Sequence, residues 1–302
     1  MAIGIVSESH HLFYFYGMNS ELQEYISNIL SETIIETHSV SGGDISEAFK
    51  ITTSNKNYFL KINSCETLYM FQTEASALKH INDTKTIKTP EVFVVDTFED
   101  HAFLLMEFIE SKVPSSTDFK TLGLQLATLH NYSSNYFGWE HDNFIGTLPQ
   151  SNNQNASWYD FYIHQRLKPQ LKLAKQRNLL SENECPSTEK MLQALQPIFQ
   201  NIKPSLLHGD LWGGNYVISK NGDPYLIDPA MYYGHSEVDI AMTKLFGGFS
   251  DSFYKAYHSV HPEDAHTISR IDIYQLYYLL VHLNLFGRSY YGSVSRILRK
   301  YF

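Results

Sequence analysis

The amino-acid sequence predicts an α+β fold of two lobes, a small antiparallel β-sheet lobe with helix plus a larger, mainly helical lobe. Three observations lead there. Short runs rich in β-branched and aromatic residues alternate with turn residues over 34–108, apolar residues recur at helical spacing from 118 onward, and residues 206–228 set acids, an amide and glycines between two short apolar runs. A chain of 302 residues is long enough for two such lobes.

Leu22, Tyr25, Ile26, Ile29 and Leu30 share one face of a helix expected over 20–32, started by Asn19-Ser20-Glu21. Residues 1–17, aromatic and ending in Gly17 ahead of Met18, read as a leader or extension outside the fold, so the first lobe is drawn over 18–108. Its strands are expected at 34–40, 48–53 and 58–62, an antiparallel meander with turns at Ser41-Gly42-Gly43-Asp44 and Ser54-Asn55-Lys56-Asn57. Strands at 92–96 and 102–108 complete five. Met106-Glu107-Phe108-Ile109 then runs into Ser111-Lys112-Val113-Pro114, the expected hinge to a second lobe over 109–302.

Between the third and fourth strands, a helix over 68–81 carries Phe71, Ala75 and Leu78 as its apolar stripe. Glu74, about one turn after Phe71, shares that inward face, and a carboxylate turned inward needs a partner. Lys61, in Phe59-Leu60-Lys61-Ile62, faces opposite to Leu60 and Ile62 and supplies one. Singly, each residue reads as surface charge. As a strand–helix pair they read as a grip on phosphates.

The second lobe opens with a helix over 118–130, apolar at Leu122, Leu126 and Leu129 and closed by His130, which suits the helix dipole there. Residues 137–150, FGWEHDNFIGTLPQ, are irregular and read either as a substrate-side loop or as packing. A helix is expected over 158–174. Another begins at Glu237, with Asp239 in its first turn placed to accept hydrogen bonds from the loop after Leu207. Two final helices occupy 271–302, where Arg288, Arg296, Arg299 and Lys300 read as a solvated face.

The chemistry is concentrated in LLHGDLWGGNYVISKNGDPYLID, where Asp210 precedes Asn215 by five residues (215 − 210) and Asp228 by eighteen (228 − 210). That spacing suits phosphoryl transfer, in which a protein mainly positions groups and neutralises charge. Asp210 would orient an acceptor hydroxyl and take its proton. Asn215 and Asp228 would present oxygen to Mg²⁺, a hard cation that keeps several waters. Gly42 and Gly43 would let backbone N–H groups approach phosphates. Glu107 and Phe108 read equally as main-chain contacts to an adenine edge or as an ordinary edge strand.

These residues carry a resemblance. Through SGGDISEAF, FLKIN, FGWEHDNFIGTLPQ, HQRLKPQL, HGDLWGGN, IDPAMYYGHSEVDIAM, LFGGF and LLVHLNLFGRSYYGSV, residues 34–302 resemble the fructosamine kinase (ketosamine 3-kinase) family, within the protein-kinase-like and aminoglycoside-phosphotransferase-like fold. The resemblance implies ATP- and Mg²⁺-dependent phosphorylation of the sugar O-3 hydroxyl of ketoamines, free or protein-bound, as deglycation repair. It implies Asp210 as base, Asn215 and Asp228 as metal ligands and Lys61 with Glu74 as nucleotide clamp. Trp212 reads as a platform for the sugar or its amine, or as an aromatic packed under the loop. Gly213 stands where family members often carry Ser, and Asp44 sets a negative charge in the glycine turn.

Two other readings are kept: another small-molecule kinase of this fold, acting on an aminoglycoside or choline, and a nucleotide-binding module without catalysis. A Ser/Thr protein kinase fits less well, because the loop reads His-Gly-Asp and no Ala-Pro-Glu follows Asp228. The net charge of −9 and the lack of any basic run exclude a general nucleic-acid binder. No apolar stretch is long enough for a bilayer, so no membrane partner is expected. Cys65 and Cys185 lack the spacing of a disulfide or zinc framework, and with no basic N-terminal targeting pattern the expected location is cytoplasmic.

Overall fold

Period-two burial in the strands explains how the small sheet is covered on both sides. The computed structural model describes residues 18–40 and 46–302; residues 1–17 and the turn carrying Gly42, Gly43 and Asp44 lie outside the described residues. Five strands, β1 (Ile34–Ser39), β2 (Glu47–Thr53), β3 (Asn57–Ser64), β4 (Val92–Phe98) and β5 (His101–Glu107), form one antiparallel sheet in the order β1-β2-β3-β5-β4. The meander holds for the first three strands. β5 then inserts between β3 and β4, because the tight turn at Glu99 lets it pair with both: Leu60 faces Leu105, and Val94 faces Leu105 from the other side.

In β3, Tyr58, Leu60 and Ile62 are buried under helix α1 (Ser20–Leu30), against Leu22 and Ile26. Burying those two α1 side chains contributes about 2 kcal/mol each. Asn19 caps the helix by accepting from Glu21 N at 2.9 Å. The intervening residues, Phe59 and Lys61, face helix α2 (Leu68–Asp83), where Phe71, Leu78, Leu104 and Met106 form a second small core. Lys61 is thus turned from Leu60 and Ile62 toward α2, because alternation leaves it no other face.

The segment 110–112 is pinned rather than free: Lys112 N donates to Ile218 O at 3.0 Å and Lys220 N to Glu110 O at 2.8 Å. Helix α3 (Ser116–His130) follows, started by a capping box between Ser115 and Asp118. The irregular stretch contains a hairpin, β6 (Asn143–Ile145) and β7 (Leu148–Gln150). The expected single helix over 158–174 is interrupted. Helix α4 (Trp158–Tyr162) and helix α5 (Lys168–Gln176) are joined by a π-turn over Ile163–Leu167 that carries Arg166.

Helix α6 (Thr188–Leu195) is followed by four three-residue strands, β8 (Ser205–Leu207), β9 (Tyr216–Ile218), β10 (Pro224–Leu226) and β11 (Tyr232–Gly234), paired as β8 with β11 and β9 with β10. Helices α7 (Glu237–Phe246), α8 (Asp251–His258), α9 (Thr267–Phe286) and α10 (Tyr291–Tyr301) complete the large core. The fold is α+β, and no helix among the described residues is long and apolar enough to cross a membrane.

Candidate active site

Two antiparallel ribbons present two loops side by side. The first loop, 208–215, joins β8 to β9; the second, 227–231, joins β10 to β11. Asp239, in the first turn of α7, holds the first loop by accepting from His208 N and Gly209 N, both at 2.8 Å. The oxygen that takes the His208 N–H, Oδ2, also lies 3.1 Å from His130 Nε2, which therefore carries the hydrogen, and His130 Nδ1 is 2.8 Å from the Tyr257 hydroxyl. Burial opposes ionisation of Asp239, yet the hydrogen bond and charge of His130 and the Gly209 N–H hold its carboxyl below the usual range. Burial lowers His208, and its neutral ring ties the loops together: Nε2–H donates to Ile227 O at 2.8 Å and Nδ1 accepts from Asp210 N at 3.2 Å.

Gly209 explains the His-Gly-Asp sequence. Its φ is +85°, and a Cβ there would sit on the carbonyl oxygen of Ala230 in the second loop. Arginine cannot occupy that crossing.

Asp210 is half-buried, and burial together with the charge of Asp239 pushes its carboxyl up to about 7, against the lowering effect of the Asn215 hydrogen bond. Asn215 Nδ2 donates to Asp210 O at 2.8 Å and to Asp210 Oδ2 at 3.2 Å, which leaves Asn215 Oδ1 as the acceptor facing away from them. Asp228 takes a left-handed backbone, φ +54°, an uncommon and strained conformation for a non-glycine residue. Lys61 Nζ joins the lobes by pairing with Glu74 at 2.8 Å and with Asp228 Oδ1. The Lys61 and Glu74 side chains are only 14% and 13% exposed, so the pair is screened little by solvent.

Asn215 Oδ1 and the Asp228 carboxylate are hard oxygen donors of the kind expected for the metal. Two protein oxygens suit Mg²⁺, which is completed by water and phosphate. Among the described residues no group of three or more His, Cys, Asp or Glu side chains could enclose a metal by itself. Of the hinge pair, Glu107 N–H is committed to Glu91 O at 2.8 Å. Trp212 is 42% exposed, and the six-membered ring of its indole rests against Gly214 of the same loop, where a Cβ would collide with it.

The sequence model of the fructosamine kinase family matches residues 18–302. The chain belongs to the fructosamine kinase family. It is 38% identical over 274 residues to the protein-ribulosamine 3-kinase, chloroplastic, of Arabidopsis thaliana, covering 89% of this chain and 83% of that protein. The "Putative fructosamine-3-kinase" of Haemophilus somnus 129PT superposes with TM-score 0.84 at 26% identity, over 93% of this chain and 96% of that one. Aminoglycoside phosphotransferase APH(4)-Ia, in a ternary complex with AMP-PNP and hygromycin B, superposes with TM-score 0.64 at 18% identity over 93% and 98% of the chains, a likeness of fold alone. The fold is protein-kinase-like.

In this fructosamine kinase family member the hairpin β6–β7 supports the second loop, a role the sequence left open. Asn143 Nδ2 donates to Met231 O at 2.9 Å, and Gln150 Nε2 to Ala230 O at 3.2 Å and to Asn143 Oδ1 at 2.8 Å. Tyr277 orients the Gln150 amide by donating to Oε1 at 2.6 Å. Behind them Arg166, fully buried, donates to Asn152 Oδ1 and Ser151 O, both at 2.6 Å, with its guanidinium 3.9 Å from the Tyr232 ring centroid. His130, read as a helix-end residue, belongs to this buried frame. The polar residues of FGWEHDNFIGTLPQ within an apolar-rich lobe were the available signal.

Proposed function

We propose that this protein phosphorylates the O-3 hydroxyl of a ketoamine sugar, free or protein-bound, with ATP as donor and Asp210 as general base. The observation that carries this reading is Lys61 bridging Glu74 and Asp228 beside the loop in which Asn215 holds Asp210. When bound, Mg-ATP supplies the transferable phosphoryl group and its charge neutralisation. Asp210 Oδ takes the hydroxyl proton as the O-3 oxygen forms its bond to the γ-phosphorus and the bond to the ADP oxygen breaks. Asn215 and Asp228 would hold the metal, Lys61 with Glu74 would steady the phosphates, and the main chain of Glu107 and Phe108 would read the adenine edge. Gly42 and Gly43, outside the described residues, would let backbone N–H groups approach the phosphates. The Trp212 indole is a platform for the sugar.

In this reading residues 18–108 form the nucleotide lobe and 109–302 the catalytic and acceptor lobe. The reaction is assigned to the cytoplasm, on an acceptor that is neither nucleic acid nor membrane, in keeping with a net charge of −9. Phosphate transfer from ATP across ribulosamine, erythrulosamine, fructosamine, choline and an aminoglycoside tests it. Transfer to a ketoamine is expected; transfer only to choline or the aminoglycoside would replace the acceptor, and transfer to none would sink the reading.

A further inference from the structure

Two motifs are not used by the site described so far, Leu245-Phe246-Gly247 and Leu285-Phe286-Gly287. Each ends a helix in the same way. After α7 Gly247 adopts φ 74°, ψ −159°, and after α9 Gly287 adopts φ 85°, ψ −161°. A Cβ at either glycine would meet nothing within 4 Å, so the positive φ, and not lack of room, demands glycine. The chain turns away sharply at both places and leaves large rings in the open, Phe246 at 39% and Phe286 at 54% exposure.

The rings form one surface. His282 lies 4.5 Å from Phe246 and 5.4 Å from Phe286 by ring centroids, and Tyr290 lies 5.1 Å from His282. His282 Nδ1 is 2.8 Å from the Tyr278 carbonyl, which can only accept, so the neutral ring presents Nε2 as an acceptor. The elements that carry these rings also brace the catalytic loop at two points, one of them beneath the surface. Tyr278, one helical turn before His282, donates to Gly209 O at 2.7 Å, and a Cβ on Gly248 would come within 2.8 Å of Gly213 Cα. All of its residues come from the large lobe, none from the elements that carry Lys61 and Glu74.

We propose that this aromatic shelf is the subsite for the amine-bearing part of the acceptor. Phe246, Phe286 and Tyr290 cover the hydrocarbon chain on the ketoamine nitrogen, and His282 Nε2 accepts from the ammonium N–H. A sugar ring alone has no use for two exposed phenyl rings flanked by half-buried His282 and Tyr290, in addition to Trp212; an alkylammonium does, through apolar contact and the π-faces of the rings. The assignment rests on the ketoamine reading above and deepens it by naming the substituent the site selects.

The test compares two ribulosamines that share the sugar and differ in the amine, one made from methylamine and one from Nα-acetyl-lysinamide. In Phe246→Ala and Phe286→Ala the ratio of kcat/KM for the lysine-derived over the methylamine-derived acceptor falls about tenfold, through the KM of the former. His282→Leu raises KM for both, since both carry the ammonium. Should alanine at either position prevent folding, Phe286→Leu is scored on the same ratio, with a drop of about threefold expected. Wild-type turnover of both acceptors with a ratio that the Phe variants leave unmoved overturns the subsite alone. Wild-type turnover of neither overturns the ketoamine reading and the subsite with it.

Discussion

The two halves of the site are held by different physics. On the small-lobe side, Lys61 and Glu74 are two charges on flexible side chains, brought together at 2.8 Å from β3 and α2. On the large-lobe side, the loops bearing Asp210 and Asp228 sit in a frame of buried hydrogen bonds from Asp239, His208, Gln150 and Asn143, of which His208 and Asp239 are wholly buried. Losing a charge pair costs an interaction; losing a member of the frame strands the donors and acceptors that faced it. Damage to the first half should therefore appear in nucleotide kinetics, and damage to the second in the stability of the protein.

The largest expected effect breaks the frame. Asp239→Ala leaves the His208 and Gly209 N–H groups and His130 Nε2 without their acceptor and costs about 3–5 kcal/mol in denaturant unfolding. An unfolding midpoint equal to wild type would contradict the frame. Lys61→Met sits on the other side of the comparison: kcat/KM for ATP drops about a hundredfold, about 2.7 kcal/mol, and the unfolding midpoint falls by less than in Asp239→Ala. A smaller loss is expected for Gln150→Leu, about 1–3 kcal/mol of stability, because Ala230 O and the Tyr277 hydroxyl lose a buried partner. Its kcat should fall with it, as the Asp228 loop loosens, and a stable variant with unchanged kcat would remove Gln150 from the frame. The mildest test is pH. Asp210 must be deprotonated to act and its carboxyl is pushed up to about 7, so kcat/KM for the acceptor should be flat above that pH and fall as pH drops through it. A profile flat down to pH 5 would mean that Asp210 is not held as described.

The same contrast decides what could be read from the sequence. Lys61 and Glu74 were visible because β alternation and helical spacing are local patterns, each fixed within a few residues. The spacing of Asp210, Asn215 and Asp228 was visible because two short strands bracket one loop. The frame was not, since Asn143 meets Met231 and Gln150 meets Ala230 across about eighty residues of chain, and no periodicity links such positions. His130 was read from its place at a helix end, whereas its partners, Asp239 and Tyr257, come from α7 and α8. The π-turn around Arg166 was missed for a related reason. Its apolar pattern is that of one helix, and the bulge is set by what the guanidinium reaches, Ser151 and Asn152. Likewise β5 was placed correctly in sequence but not in the sheet, because order in a sheet depends on which edge is left free.

The central claim is that Asp210 takes the proton of a ketoamine hydroxyl. The most direct measurement is transfer from ATP to a ribulosamine by the wild type and by Asp210→Asn, with nucleotide affinity measured on the same preparations. A loss of about a thousandfold in kcat, with nucleotide affinity retained, is the predicted result. An Asp210→Asn enzyme that transfers phosphate at the wild-type rate would contradict it.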